Sequence, residues 1–143
     1  MGFVTCKFQP DGGQEFEVRN ILHYSFAVHR APGSNGHLGK KGHDLDCISI
    51  TRHKSLQDKE HSKLDNDTVK LAAATEKKAY FKGTITLARS DDSNDIAQTL
   101  RWDKGHICAL SCVVQGEEVQ EVLSVCVTDL KVDDYEFKRV QTV

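Results

Sequence analysis

Apolar and polar residues alternate with a period of two along most of this chain. Leu22, Tyr24, Phe26 and Val28 alternate with His23, Ser25, Ala27 and His29. That period gives a half-buried strand one apolar face and one small or polar face. Strands are likewise predicted over residues 3–8 and 16–18, joined across Asp11-Gly12-Gly13, where glycines accept positive φ. Residues 45–52 return as a strand with Ile48 and Ile50 on one face, and 81–89 form another with Phe81, Ile85 and Leu87 inward. After a turn at 90–95, Ile96, Leu100 and Trp102 share a face. Asp103-Lys104-Gly105 bends or bulges the chain, and 107–114 continue it to a hairpin turn at Gln115-Gly116-Glu117-Glu118. The longest strand is expected over 119–132, with Tyr135 and Phe137 finishing the ordered chain.

One stretch breaks the period. Residues 67–80, DTVKLAAATEKKAY, predict a helix over about 67–79. Asp67 and Thr68 offer side-chain oxygens to the unpaired N–H groups of a first turn. Leu71, Ala72, Ala73 and Ala74 have high helix propensity, and Lys77 and Lys78 fall in a last turn, where positive charge suits the helix dipole. Val69, Ala72, Ala73 and Glu76 share one face; Leu71, Ala74 and Lys78 lie on the next. So short and alanine-rich a helix cannot build a helical core, and it reads as a plug closing one end of a β-domain. Residues 30–43, with four glycines and a proline, form a loop near the length limit for a structureless connection. Residues 53–66 read as an exposed polar connection. The fold class is therefore mainly β: a two-sheet barrel or sandwich of about seven to eight strands with one flanking helix, residues 1–143 forming a single domain.

Composition narrows the function classes. A 28% charged fraction with formal net charge -2 lacks the cationic excess that nucleic acid demands, so none is expected as partner. No apolar run approaches the roughly 20 residues of a membrane span, and the opening MGFVTCKFQPDGG has neither the charged nor the apolar region of a signal peptide. Gly2 is followed by Cys6 where myristoylation needs Ser or Thr, so lipidation is not expected. The odd count of five cysteines (Cys6, Cys47, Cys108, Cys112 and Cys126) points to reduced thiols. All five sit in alternating apolar stretches, where core packing is the expected role.

Catalytic and metal chemistry find no foothold. His23 and His29 are six residues apart, about 20 Å on an extended chain, too far to share an ion. Cys108 and Cys112, near His106, would stand about 13 Å apart on a strand, which misses the short spacing of structural zinc sites. No G-x-S-x-G, Walker A or G-x-G-x-x-G pattern is present. The carboxylate pairs Asp91–Asp92, Glu117–Glu118 and Asp133–Asp134 fall in turns or at strand ends, as solvated charges do. No metal, no cofactor and no enzymatic activity are expected.

The ordered set of elements resembles the haemolysin-coregulated protein (Hcp) family, the tube-forming proteins of bacterial type VI secretion systems. Ile21-Leu22-His23-Tyr24-Ser25-Phe26 is similar to that family's strand of Leu, a gap, an aromatic, Ser and a second aromatic. The glycine-rich segment 33–42 takes the place of the family's extended loop, and Cys47-Ile48-Ser49-Ile50-Thr51-Arg52 matches a strand reading roughly LSFTK. Residues 67–80 leading into Phe81-Lys82-Gly83-Thr84-Ile85-Thr86-Leu87 match a short helix and a strand of type ITLRK. The last long strand, ending at Val132 with Tyr135 beyond, completes the order. Ala27 stands where a Gly is frequent, Val69 where a Pro is common, and 53–66 is longer than usual, so the chain reads as a divergent member.

The resemblance implies a two-sheet β-barrel assembling into six-membered rings that stack into a tube expelled by a contractile sheath. It implies partners in other copies of the chain, the sheath, the baseplate or spike, and effector proteins carried in the lumen. It also implies synthesis in the bacterial cytoplasm and export by the secretion machine itself. The segment Gly33-Ser34-Asn35-Gly36-His37-Leu38-Gly39-Lys40-Lys41-Gly42 is the expected contact between subunits or rings. Two other classes stay open: a monomeric β-sandwich that binds sugar or peptide, and a small enzyme. Exposed aromatics gathered in one loop would favour the first, yet the single Trp and most Phe lie in alternating strands.

Overall fold

The computed structural model describes residues 3–28, 46–55, 66–75, 79–90 and 94–138. Among these lie nine strands and one helix: β1 (Phe3–Pro10), β2 (Phe16–Val18), β3 (Ile21–Ala27), β4 (Asp46–Ser55), α1 (Asp67–Ala73), β5 (Phe81–Ala88), β6 (Ile96–Gln115), β7 (Glu118–Val127), β8 (Asp129–Val132) and β9 (Tyr135–Lys138). All strand pairs are antiparallel, in the order β2-β1-β5-β6-β7-β4-β3, with β8 on β6 and β9 on β8.

β6 is the spine. Its first half pairs with β5 as far as Gly105, and its second half pairs with β7 from Gly105 to Gln115. One arm of the sheet (β5, β1, β2) thus leaves β6 on one side, and the other (β7, β4, β3) on the opposite side. The arms close on a common core in which Phe8 and Ile85 of one meet Ile48 and Leu123 of the other. The Tyr24 hydroxyl of β3 donates to the Gln98 side-chain oxygen of β6 at 2.8 Å, tying the end of the second arm back to the first half of the spine. This is the mainly β, two-layered architecture that the alternation predicts, with β6 rather than 119–132 as its longest strand.

The expected strand over 119–132 is broken at Thr128 into β7 and β8, which nonetheless keep one register along β6: Gly105↔Val127 and Arg101↔Lys131. At the break the Asp129 carboxylate accepts the Asp103 and Lys104 N–H groups (3.0 and 3.4 Å), standing in for ladder carbonyls. Bulges explain other departures from strict alternation. One between Ile21 and His23 puts Ile21 rather than Leu22 against the core, leaving Leu22 exposed. Another beside Ala88 carries Ile96 away from the face of Leu100 and Trp102. The expected bulge at 103–104 is present, since Phe81 pairs with Gly105 but Gly83 with Trp102.

Phe8 packs against Phe81 at 4.5 Å and edge-on to Phe16 and Trp102 at 5.9 and 5.8 Å. Trp102 fits only because its cross-strand neighbour lacks a side chain: a Cβ on Gly83 would lie 2.1 Å from the indole ring.

The helix is shorter than the alanine run suggests. It ends at Ala73, because Ala74 is already extended (φ -68, ψ 153), and Lys70 is the basic residue of its last turn. Residues 76–78, with the expected terminal Lys77 and Lys78, lie outside the described residues. Asn66 is the N-cap and makes no side-chain cap bond, while the predicted capping residue Thr68 is buried and bonded elsewhere. Leu71 does enter the core, so the helix packs one residue of its buried face against the β-domain.

Of the cysteines, only Cys6 is buried; Cys47 and Cys126 are half-buried, and Cys108 and Cys112 are exposed. Cys6 lies on the core face of β1, whereas Cys47 and Cys126 alternate with the buried Ile48, Val125 and Val127 and so face outward. Burial pushes the Cys6 thiol well above its ordinary pKa.

Candidate assembly surface

Backbone accounting locates the surface. β5 leaves β6 at Gly105, so residues 106–115 pair with β7 on one edge and, among the described residues, with no strand on the other. A row of unpaired N–H and C=O groups is a template for another chain. Side chains near the tip of this hairpin are apolar on both faces, since successive residues point oppositely. Val113 is 56% exposed and Val114 65% exposed. Gly116 makes the tight turn at φ 62, a conformation that costs glycine little.

Beneath the hairpin lies a buried polar cluster. Arg52 and Lys54 continue the inward face of β4 begun by Ile48 and Ile50, and all four are buried. Glu121 faces them from β7, directly across from Arg52. Its carboxylate accepts Arg52 Nε–H at 2.9 Å and the Thr68 hydroxyl at 2.7 Å, and pairs with Lys54 Nζ at 2.5 Å. Arg52 also donates to Thr68 Oγ1 at 3.0 Å, which docks α1 onto the sheet. Burial pushes the Glu121 carboxyl up, but the hydrogen bonds from Lys54, Thr68 and Arg52 and the Arg52 charge outweigh it and hold it below its ordinary value. A buried ion pair of this kind holds only with full hydrogen bonding. The sequence carried a signal for it: a cation at every second position after Ile50 stands where the core face continues. The reading of 53–66 as exposed connection hid that signal, because β4 in fact runs on to Ser55 and buries Lys54.

The expected contact at 33–42 lies outside the described residues, as do His29 and His37. Among the described residues, no three His, Cys, Asp or Glu side chains gather as a metal site. No described helix is long and apolar enough to cross a membrane.

No family model and no curated protein matches the sequence. Solved structures do match the fold. Hcp1 from Flavobacterium johnsoniae superposes with a TM-score of 0.59 over 94% of this chain and 98% of that one, at 12% identity. The chain has an Hcp-like fold. Hcp1 from Salmonella typhimurium gives 0.54 over 91% of this chain and 86% of that one, at 8% identity. A chain of the anti-feeding prophage baseplate, a six-fold symmetrised assembly, gives 0.54 over 90% and 91%, at 11% identity. The Hcp-like fold thus spans nearly the whole chain, with the sequence almost wholly rewritten on it.

Proposed function

We propose that this chain is a tube subunit of a bacterial type VI secretion system, or of a closely related contractile injection machine. The observation that carries the reading is the Hcp-like fold over nearly the full length of both chains compared. The edge at 106–115, which no described strand pairs, supports it, because a subunit of a closed assembly has its free strand edges covered by neighbours. In this reading residues 1–143 form one domain, six copies make a ring, and rings stack into a tube that a contracting sheath drives outward. Baseplate or spike proteins cap the tube, and small effector proteins travel in the lumen. The chain is made in the bacterial cytoplasm and leaves through the machine. Its role is structural, and it turns over no substrate.

Residues 33–42 supply a contact between subunits or rings. Their deletion leaves a folded monomer and abolishes rings; unchanged assembly overturns this contact. The proposed function itself is tested by light scattering followed by negative-stain imaging of the same peak. A mass several-fold above the 16.0 kDa subunit, in rings of uniform diameter, is the expected result. A monomer at every concentration, retaining a bound sugar or peptide, would instead place the chain among ligand-binding β-sandwiches.

A further inference from the structure

Three thiols meet on the outward face of the β4-β7-β6 arm. Cys47 of β4 is the direct register partner of Cys126 of β7, and their sulfurs stand 4.0 Å apart. Cys108 is the extra residue of a bulge in β6, between Ile107, opposite Val125, and Ala109, opposite Ser124. The bulge brings its sulfur into direct contact with that of Cys126, whose S–H faces it. The Cys108 thiol also reaches the Ser124 carbonyl at 3.3 Å. The neighbouring row on this face is Ser25, Ser49 and Ser124, all small side chains, and His106 stands opposite Cys126 on β6. Cys112 is on the opposite face, its sulfur 3.9 Å from the Glu121 carboxylate, and it is not part of the cluster.

We propose that Cys108 and Cys126 are a redox-active dithiol that reacts with a low-molecular-weight disulfide and closes to a bond between β6 and β7. Cys108 is exposed and takes the first step: its thiolate attacks one sulfur of the small disulfide, forming a mixed disulfide and releasing one small thiol. The Cys126 thiolate then attacks the Cys108 sulfur and expels the second small thiol. Two protein thiols are oxidised, one small disulfide is reduced, and the two thiol protons end on the two released thiols. Half-buried Cys126 suits the second role. Burial first, and then its hydrogen bond to Cys108, push its thiol up, so it is a poor first nucleophile but is already placed for the second attack. The closed bond pins the root of the hairpin whose far end carries Val113 and Val114. This chemistry does not depend on the tube reading.

The test is incubation of the whole chain with oxidised glutathione, then alkylation of free thiols in denaturant and mass measurement. The expected product has two fewer alkylated thiols than the five of the reduced chain. Cleavage at glutamates, which separates Cys108 from Cys126 at Glu117, Glu118 and Glu121, should leave those two segments joined until reduction. Cys47→Ser and Cys112→Ser should form the same link. Cys126→Ser should stall with one glutathione on Cys108, and Cys108→Ser should form no such link. Five free thiols after oxidation, or Cys126 joined to Cys47 as the main product, overturns the assignment.

Discussion

Leaving Arg52 and Lys54 buried without their common carboxylate would strand two cations in the core, and that sets the scale for Glu121. Breaking a buried ion pair by removing one partner costs about 3–5 kcal/mol. Glu121→Gln is expected to lose that much, read as a lower midpoint in urea. Thr68→Val removes a hydroxyl that both accepts from Arg52 and donates to Glu121, for a loss of about 1–3 kcal/mol. The carboxylate also predicts a pH signature. Its folded pKa is depressed, so its stabilisation is complete above the ordinary value of 4.5 and fades as pH falls from there through the lowered folded value. In that window the wild-type urea midpoint should fall more steeply than that of Glu121→Gln. Equal slopes would mean that the network is not the source of acid sensitivity. Gly83→Ala attacks another fixed point by pushing a methyl group into the Trp102 ring. A loss of about 1–3 kcal/mol is expected from such overpacking, with the emission of the single Trp as a direct reporter.

Elements show what the sequence could and could not disclose. Strands β1, β2, β3 and β5 were legible because alternation is a local signal, and each buries one face against the same core. Bulges were not, since one extra residue shifts the phase without any mark in composition. Leu22, Ile96 and Cys108 are misplaced by simple alternation for that single reason. The end of α1 was hidden differently: the alanines favour helix, yet the chain must extend at Ala74 on its way to β5. Local propensity is weak beside such a tertiary demand. The polar cluster was half legible, in Arg52, but Lys54 and Glu121 become meaningful only once β4 and β7 are paired. Leu71 links this scale to stability, since it is the apolar anchor of a helix only seven residues long. Leu71→Ala should cost about 2–5 kcal/mol, and amide exchange in α1 should rise ahead of that in β7 if the helix detaches first.

At the scale of the whole molecule, the two arms differ in how completely they are finished. Where β5 and β8 flank β6, both edges of the spine are paired; beyond Gly105 one edge lies open among the described residues. A soluble monomer ordinarily blunts such an edge with charge, proline or a covering segment. Here Val113 and Val114 occupy it instead, with Ser111 and Cys112 before them. That pattern suits a surface that another copy of the chain will cover. Charge placed at this edge should therefore block assembly while sparing the fold. Val113→Lys and Val114→Lys alter exposed side chains, so each should change monomer stability by no more than about 0.5 kcal/mol. If the proposed rings form through residues 106–115, at least one of the two variants should remain monomeric in light scattering under conditions where the wild type assembles. Because the two valines face opposite sides of the hairpin, the pair also reports which face is covered. Loss of rings in Val113→Lys alone assigns the contact to the face shared with Gln120 and Val122; loss in Val114→Lys alone assigns it to the face above Val119 and the Glu121 network. Rings formed by both variants as readily as by wild type would exclude this edge from the assembly.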